Sequence, residues 1–271
     1  ARGKTLGCHY CGQKAPIPDT CPACESRYIK YFGTGTQKVE EELRREFPAA
    51  RVLRVDQDTT RGKTSIHTML AEFADGKHDI LLGTQMVAKG HDFKNVTAVG
   101  ILAADSALNI PDFRAAERTF NLLTQAAGRA GRGDIPGKVV VQSYNPTHYA
   151  VACGARHDYS EFYRQEMEYR RELSYPPLQH LIKITVSESA EEKAAHNAEN
   201  LATILREMIL PYPDITILGP SPAAIIKVKD MYRVLIIIKA PDPRKIKQLI
   251  NEAGLWQKQG VIFDVDPVNT V

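Results

Sequence analysis

Leu82-Gly83-Thr84-Gln85-Met86-Val87-Ala88-Lys89-Gly90-His91-Asp92-Phe93 begins where a short apolar run, Ile80–Leu82, ends. A strand that stops at a loop of Gly, Thr, Lys and Asp is the common setting of a ligand site in an α/β protein, beyond the carboxyl ends of parallel strands. The flanking sequence agrees. On the amino-terminal side, Tyr28–Phe32 is a strand candidate, and Thr34 or Thr36 can cap the helix that follows. Val39, Leu43 and Phe47 recur every four residues on that helix, and Pro48 ends it. Val52–Val55 is a short strand. Ile66, Met69, Leu70 and Phe73 mark one face of a second helix, which stops at Gly76. On the carboxy-terminal side, Ala98–Ala103 is apolar without alternation, as in a strand buried on both faces. Asp112–Ala127 reads as helix and Val139–Gln142 as a strand. Five strands alternating with helices predict one parallel sheet with crossover helices, over residues 28–157.

A second stretch has chemical character: Gln125-Ala126-Ala127-Gly128-Arg129-Ala130-Gly131-Arg132-Gly133. Arginines three apart near a helix end share a face and can clamp an anion. Glycines beside them let backbone approach a ligand closely. Two phosphate-loop decoys fail on inspection. Gly62-Lys63-Thr64 would need a glycine where Gln57 stands, and Gly137-Lys138 is followed by Val139. The chain carries no phosphate-cradling loop of its own.

The 271 residues suggest about two domains. With 43% hydrophobic and 25% charged residues the chain is of ordinary globular composition, and no apolar run is long enough to span a bilayer. The net charge of +3 lies wholly in residues 1–175, and residues 176–271 balance at 11 Lys/Arg against 11 Asp/Glu. Bulk charge therefore announces no nucleic-acid binder. The chain opens Ala1-Arg2-Gly3-Lys4, without Met, which suggests a piece of something longer.

Cys8-His9-Tyr10-Cys11 and Cys21-Pro22-Ala23-Cys24 form two C-x2-C knuckles. A two-residue gap lets both thiolates meet one tetrahedral zinc ion. Paired disulfides are the other reading, and a reducing cytoplasm argues against them. Residues 1–27 thus form a zinc-binding segment. Cys153 has no sequence partner and reads as a buried structural thiol.

Residues 158–175 read as a connecting helix closed by Ser174-Tyr175-Pro176-Pro177. Beyond it come strand (Leu181–Val186), helix (Glu191–Ile209), strand (Ile215–Leu218), strand (Arg233–Lys239), helix (Arg244–Ala253) and strand (Ile262–Val265). That β-α-β-β-α-β order over 176–271 predicts a ferredoxin-like α+β domain. Ile225–Val228 is read as a further hairpin arm. Its Lys227, Lys229, Tyr232 and Arg233 suit either a solvated edge or nucleic acid.

Thr84 through Asp92, with Gln125 through Arg132, resembles motifs V and VI of the superfamily-two helicases. The finer resemblance is to the primosomal replication-restart helicases. It rests on Gly83-Thr84-Gln85-Met86, Lys89-Gly90-His91, Phe113-Arg114-Ala115-Ala116-Glu117-Arg118, the motif VI run, Pro176-Pro177, Gly219-Pro220 and Asp264-Val265-Asp266-Pro267. It covers essentially the whole chain. The resemblance implies a RecA-like second motor lobe followed by the ferredoxin-like domain. It makes Arg132 the arginine finger and Arg129 its partner on the γ-phosphate. Gln125, Gly90 and Asp92 become nucleotide contacts, Thr84 a DNA-phosphate contact, and Lys89 a contact to either ligand. It implies an ATP-dependent 3′-to-5′ DNA helicase that recognises stalled or branched forks and assembles the primosome. The implied location is cytoplasmic. The implied partners are branched and single-stranded DNA, primosome proteins, single-strand DNA-binding protein and the chain's own amino-terminal half. That half would hold the P-loop and the carboxylate box, with ATP and magnesium, so this chain alone should hydrolyse no ATP.

The family pairs eight cysteines around two interleaved zinc ions. By that resemblance Cys8 and Cys11 serve one ion, and Cys21 and Cys24 the other. Four thiolates alone either regroup around one ion or stay metal-free. A non-enzymatic zinc-stapled fork-binding module, or another superfamily-two motor, is the alternative for the whole.

Overall fold

The computed structural model describes residues 5–7, 14–16, 18–20, 25–27, 35–56, 59, 65–88, 93–131 and 136–270. The Tyr28–Phe32 strand candidate lies outside them. At the amino terminus β1 (Thr5–Gly7) pairs antiparallel with β2 (Lys14–Pro16), in the register Thr5↔Pro16 to Gly7↔Lys14. The segment joining the two strands contains Cys8 and Cys11. The four cysteines themselves lie outside the described residues.

The chain divides into two compact units, one of them containing residues 28–110 and 115–163. Here α1 (Thr36–Glu46) precedes β3 (Val52–Val55), α2 (Ile66–Ala74) and β4 (Ile80–Gly83). Thr36 does not cap α1 as the sequence suggests. Gly35 holds the N-cap position without a side-chain bond, and the Thr36 hydroxyl instead donates to Asp56. Ser65 caps α2 by accepting from Thr68 N at 3.3 Å. α2 is the crossover that makes β3 and β4 parallel, with Leu53, Val55, Leu70 and Phe93 buried between them. Phe73 meets Phe93 edge-to-face at 5.0 Å.

One turn of helix, α3 (Gln85–Ala88), leaves β4. Then come β5 (Ala98–Ile101), α4 (Ala115–Ala127), β6 (Lys138–Val141) and α5 (Tyr149–Arg156). β5 and β6 are parallel, and Ile101 and Val141 pack on buried Ala104, Leu123 and Val151. Cys153 is buried, as its composition-level reading has it, and burial raises its thiol pKa.

Four of the five predicted strands lie among the described residues, and they pair parallel as expected, β3 with β4 and β5 with β6. Each is four residues long. Ala98–Ile101 is not buried on both faces. Exposed and half-buried residues alternate along it and along β6, where Val140 is 58% exposed. Helices cover one face of that pair. The helix read from Asp112 begins at Ala115, because Asp112 makes a turn of its own by accepting from Arg114 N at 2.8 Å.

α6 (Tyr159–Glu172) passes from this unit to the other, which takes in residues 1–27, 111–114 and 164–271. There β7 (His180–Glu188), α7 (Glu191–Ile209), β8 (Thr216–Val228), β9 (Met231–Ala240), α8 (Pro243–Glu252) and β10 (Val261–Val265) follow in order. The sheet order is β10-β7-β9-β8, and every neighbour is antiparallel. The even-numbered residues Ile182, Ile184 and Val186 of β7 face the same core as Val234, Ile236 and Ile238 of β9. α7 meets them with Ala194, Ala198, Leu201, Ala202 and Leu205, an i, i+4, i+7, i+8 stripe, and α8 with Ile246 and Ile250. Asp242 caps α8 by accepting from Arg244 N at 2.9 Å.

The odd-numbered face is also covered, and it carries cations. Lys183 and Lys239 are each 8% exposed. Lys183 donates to Asn269 O at 2.9 Å. Lys239 donates to Leu173 O at 2.6 Å and lies 3.7 Å from the centre of the Tyr175 ring. Burial pulls its ammonium below the ordinary lysine pKa. The predicted strand Ile215–Leu218 and the arm Ile225–Val228 are parts of one edge strand, β8, whose register shifts twice, at Leu218/Ser221 and at Pro222/Lys227.

Candidate functional site

Of the residues singled out in the sequence, Thr84, Gln125 and Arg129 are described. Lys89, Gly90, Asp92, Arg132, Cys8, Cys11, Cys21 and Cys24 lie outside the described residues. Thr84 follows the last residue of β4 and is exposed. Gln125 is exposed on the last turn of α4, and Arg129, half-buried, lies just past its end. The two motifs come together through their elements: the α3 turn packs against α4. Hydroxyl, amide and guanidinium donors thus sit on adjoining elements, a donor set suited to anionic oxygens.

Glycine explains how the site is built. A Cβ on Gly83 would lie 2.7 Å from a Val87 methyl and 2.8 Å from Val55 O. β3, β4 and α3 can meet only with hydrogen at that position. Gly131 has φ +72°, and its Cβ would lie 2.4 Å from Gly137 N. Gly137 needs the same room against Gly131 N and the Ala130 carbonyl carbon. Gly131 N also donates to Val96 O at 3.0 Å. The sequence suggests that the motif's glycines approach a ligand. At Gly131 the close approach is instead between two stretches of backbone, which fixes the turn leaving α4.

Two carboxylates escaped the sequence reading. Asp56 follows β3 and is 6% exposed. The Thr36 hydroxyl, the Thr59 backbone N–H and the nearby Arg54 charge hold its pKa down to about 2. Asp105 lies beyond β5 and is also 6% exposed. Burial alone would raise its pKa, but hydrogen bonds from the Ser143 hydroxyl and the N–H groups of Tyr144 and Asn145 outweigh that and lower it. Each ties down the loop at a strand's carboxyl end. The available signal was an aspartate placed where a parallel strand stops.

Residues 25–134 match the helicase conserved C-terminal domain, and residues 171–268 match the primosomal protein N C-terminal domain. Two domain families thus follow one another along the chain. The replication restart protein PriA of Bacillus subtilis (strain 168) is 51% identical over 250 residues, covering 92% of this chain and 31% of that protein. PriA of Synechocystis sp. is 44% identical, over 96% of this chain and 31% of the relative, and PriA of Treponema pallidum is 39% identical, over 98% and 41%. Over nearly its whole length this chain is similar to PriA replication restart proteins, and it spans about a third to two fifths of the length of these relatives. Among the described residues no helix is long and apolar enough to cross a membrane, and no cluster of three or more His, Cys, Asp or Glu is placed to hold a metal.

Proposed function

We propose that this chain is the second motor lobe and carboxy-terminal domain of an ATP-dependent DNA helicase that restarts replication at stalled or branched forks. The observation that carries the reading is the packing of the Gln85–Ala88 turn against the helix that bears Gln125 and ends just before Arg129. Two motifs separated in sequence thereby serve one cleft. In this reading Arg132 and Arg129 stabilise charge developing on the γ-phosphate, and Gln125, Gly90 and Asp92 line the nucleotide cleft. Thr84 binds a DNA phosphate and Lys89 either ligand, contacts that carry no base specificity and suit a translocase. The P-loop, and with it most of the grip on ATP and magnesium, comes from an amino-terminal half. The partners are branched and single-stranded DNA, primosome proteins and single-strand DNA-binding protein.

The two domains correspond to residues 28–157 and 176–271, the latter ferredoxin-like, with 158–175 as connector. The two C-x2-C pairs, Cys8/Cys11 and Cys21/Cys24, support zinc at the amino terminus. Bound there, zinc staples a segment too small for a core of its own. Native mass measurement with and without chelator tests this: loss of one ion on chelation is expected, and no bound metal sinks it.

In the intact helicase, Arg132→Ala should nearly abolish DNA-stimulated ATP hydrolysis while leaving DNA affinity in place. Equal loss of both would make Arg132 a structural residue and overturn the assignment. This chain alone should show no DNA-stimulated turnover.

A further inference from the structure

Beside the amino-terminal end of β7, within the carboxy-terminal unit, lies a cleft of about 200 Å³. Pro176, Pro177, Leu181 and Pro267 give it apolar walls. Arg114, Gln179, His180 and Asp266 bring polar groups to it. Apolar walls with a few converging polar groups are the usual make-up of a small-ligand site. A cavity of roughly 150 Å³ takes up benzene, so this one has room for a single base-sized ring system.

The polar groups are only partly satisfied, and in a particular pattern. Arg114 Nη1 donates to Pro267 O at 2.7 Å and to Val268 O. The guanidinium lies 4.6 Å from the centre of the Phe113 ring. Its Nε and Nη2, the side-on edge that grips two adjacent acceptors, donate to nothing among the described residues, and no carboxylate pairs with it there. His180 Nδ1 lies 3.0 Å from both oxygens of Asp266. A carboxylate only accepts, so in the neutral imidazole Nδ1 carries the proton and Nε2 keeps a lone pair. Gln179 Oε1 is buried and accepts no hydrogen bond, a deficit that an N–H donor brought beside it would remove. The cleft thus offers one fork of two donors and two unfilled acceptors.

Guanine has the matching edges. Its O6 and N7 are adjacent acceptors, the pair that an arginine fork grips, and its N1 and N2 groups are donors. Adenine has a donor at N6 beside N7, so it cannot fill both arms of the fork. A bare phosphate or carboxylate would fill the fork and leave both acceptors and the apolar walls unused. We propose that this cleft binds a single unpaired guanine base, with Arg114 on O6 and N7, Gln179 and His180 on the donors, and the prolines against the ring. The base is that of a free guanine nucleotide or of a guanine turned out of a DNA strand. The inference does not rest on the motor-lobe reading, since every residue named belongs to the other unit.

The test is equilibrium binding to the full chain. The probes are guanosine 5′-monophosphate, its adenosine and cytidine counterparts, and short thymine oligonucleotides with and without one central guanine. At least one guanine probe should bind about tenfold more tightly than its counterparts. Preference confined to the mononucleotide assigns the cleft to a free nucleotide, and preference confined to the oligonucleotide assigns it to a strand. Gln179→Leu should lower guanine affinity about tenfold and leave the melting temperature unchanged or higher, because it removes an unsatisfied buried acceptor. Arg114→Lys keeps a donor for the Pro267 and Val268 carbonyls but loses the fork, and it should erase the preference for guanine. Equal affinity for every base overturns the proposal. So does the failure of both guanine probes to bind at millimolar concentration, or wild-type guanine affinity in Gln179→Leu. ATPase assays on the intact helicase test the motor-lobe reading separately.

Discussion

The two units solve the problem of burying a sheet in opposite ways. The carboxy-terminal unit has one four-stranded antiparallel sheet, paired along nine residues between β7 and β9, over one continuous core. Among its described residues the other unit has four-residue parallel strands over small cores. The first is built for persistence and the second for strand ends that carry loops. Stability and chemistry are therefore divided between the units, and local opening is expected first where cores are small.

The sharpest way to break that comparison is in the large core. Ile236 is fully buried, and Ile236→Ala should cost the carboxy-terminal unit about 2–5 kcal/mol. Trp256, the chain's one tryptophan, packs on Phe263 at 4.8 Å and reports that unit alone. In urea its fluorescence should change after far-ultraviolet dichroism has begun to fall. Coincident transitions would erase the distinction. Next comes Gly131→Ala, with φ +72° and no room beside Gly137 N. It should cost the lobe about 1–3 kcal/mol and leave the Trp256 midpoint in place.

A smaller effect is expected at Asp56, whose pKa falls from 3.8 to about 2 on folding. A depressed carboxylate stabilises the folded state above its unfolded pKa, and that stability fades as pH falls through about 4 towards 2. Allowing for solvent screening, the contribution is about 1 kcal/mol. Asp56→Asn should flatten the lobe's acid limb between those values, as followed by dichroism. Least of all, Val140→Thr on the open face of β6 should change stability by no more than about 0.5 kcal/mol. A larger loss in thermal melting would mean that face is covered.

The carboxy-terminal unit was the more legible of the two. Alternation along Leu181–Val186, the apolar run Val234–Ile238 and a stripe along Glu191–Ile209 are local signals. β8 and β9 are joined as a hairpin, and β7 pairs with β9 and β10. Four of the lobe's strands were located, but not how deeply Ala98–Ile101 is buried, because a short apolar run does not say how many of its faces are covered. The motif stretches were visible as chemistry, whereas the reason for Gly131 lay six residues further on, at Gly137. Pro111–Arg114 were hidden most completely. Phe113 and Arg114 look like the start of a helix, yet Phe113 stacks on Tyr175 and Arg114 donates to the Pro267 carbonyl. Only Pro111-Asp112 hinted at a turn there.

β8 has a consequence for handling the protein. It is thirteen residues long and lies at the sheet's margin, where unpaired N–H and C=O groups invite another chain to add on. Pro220 and Pro222 withhold two donors from that margin, and the register shifts beside them bend it. Replacing both prolines would present a longer uninterrupted template, so these two residues act as guards against aggregation at high concentration.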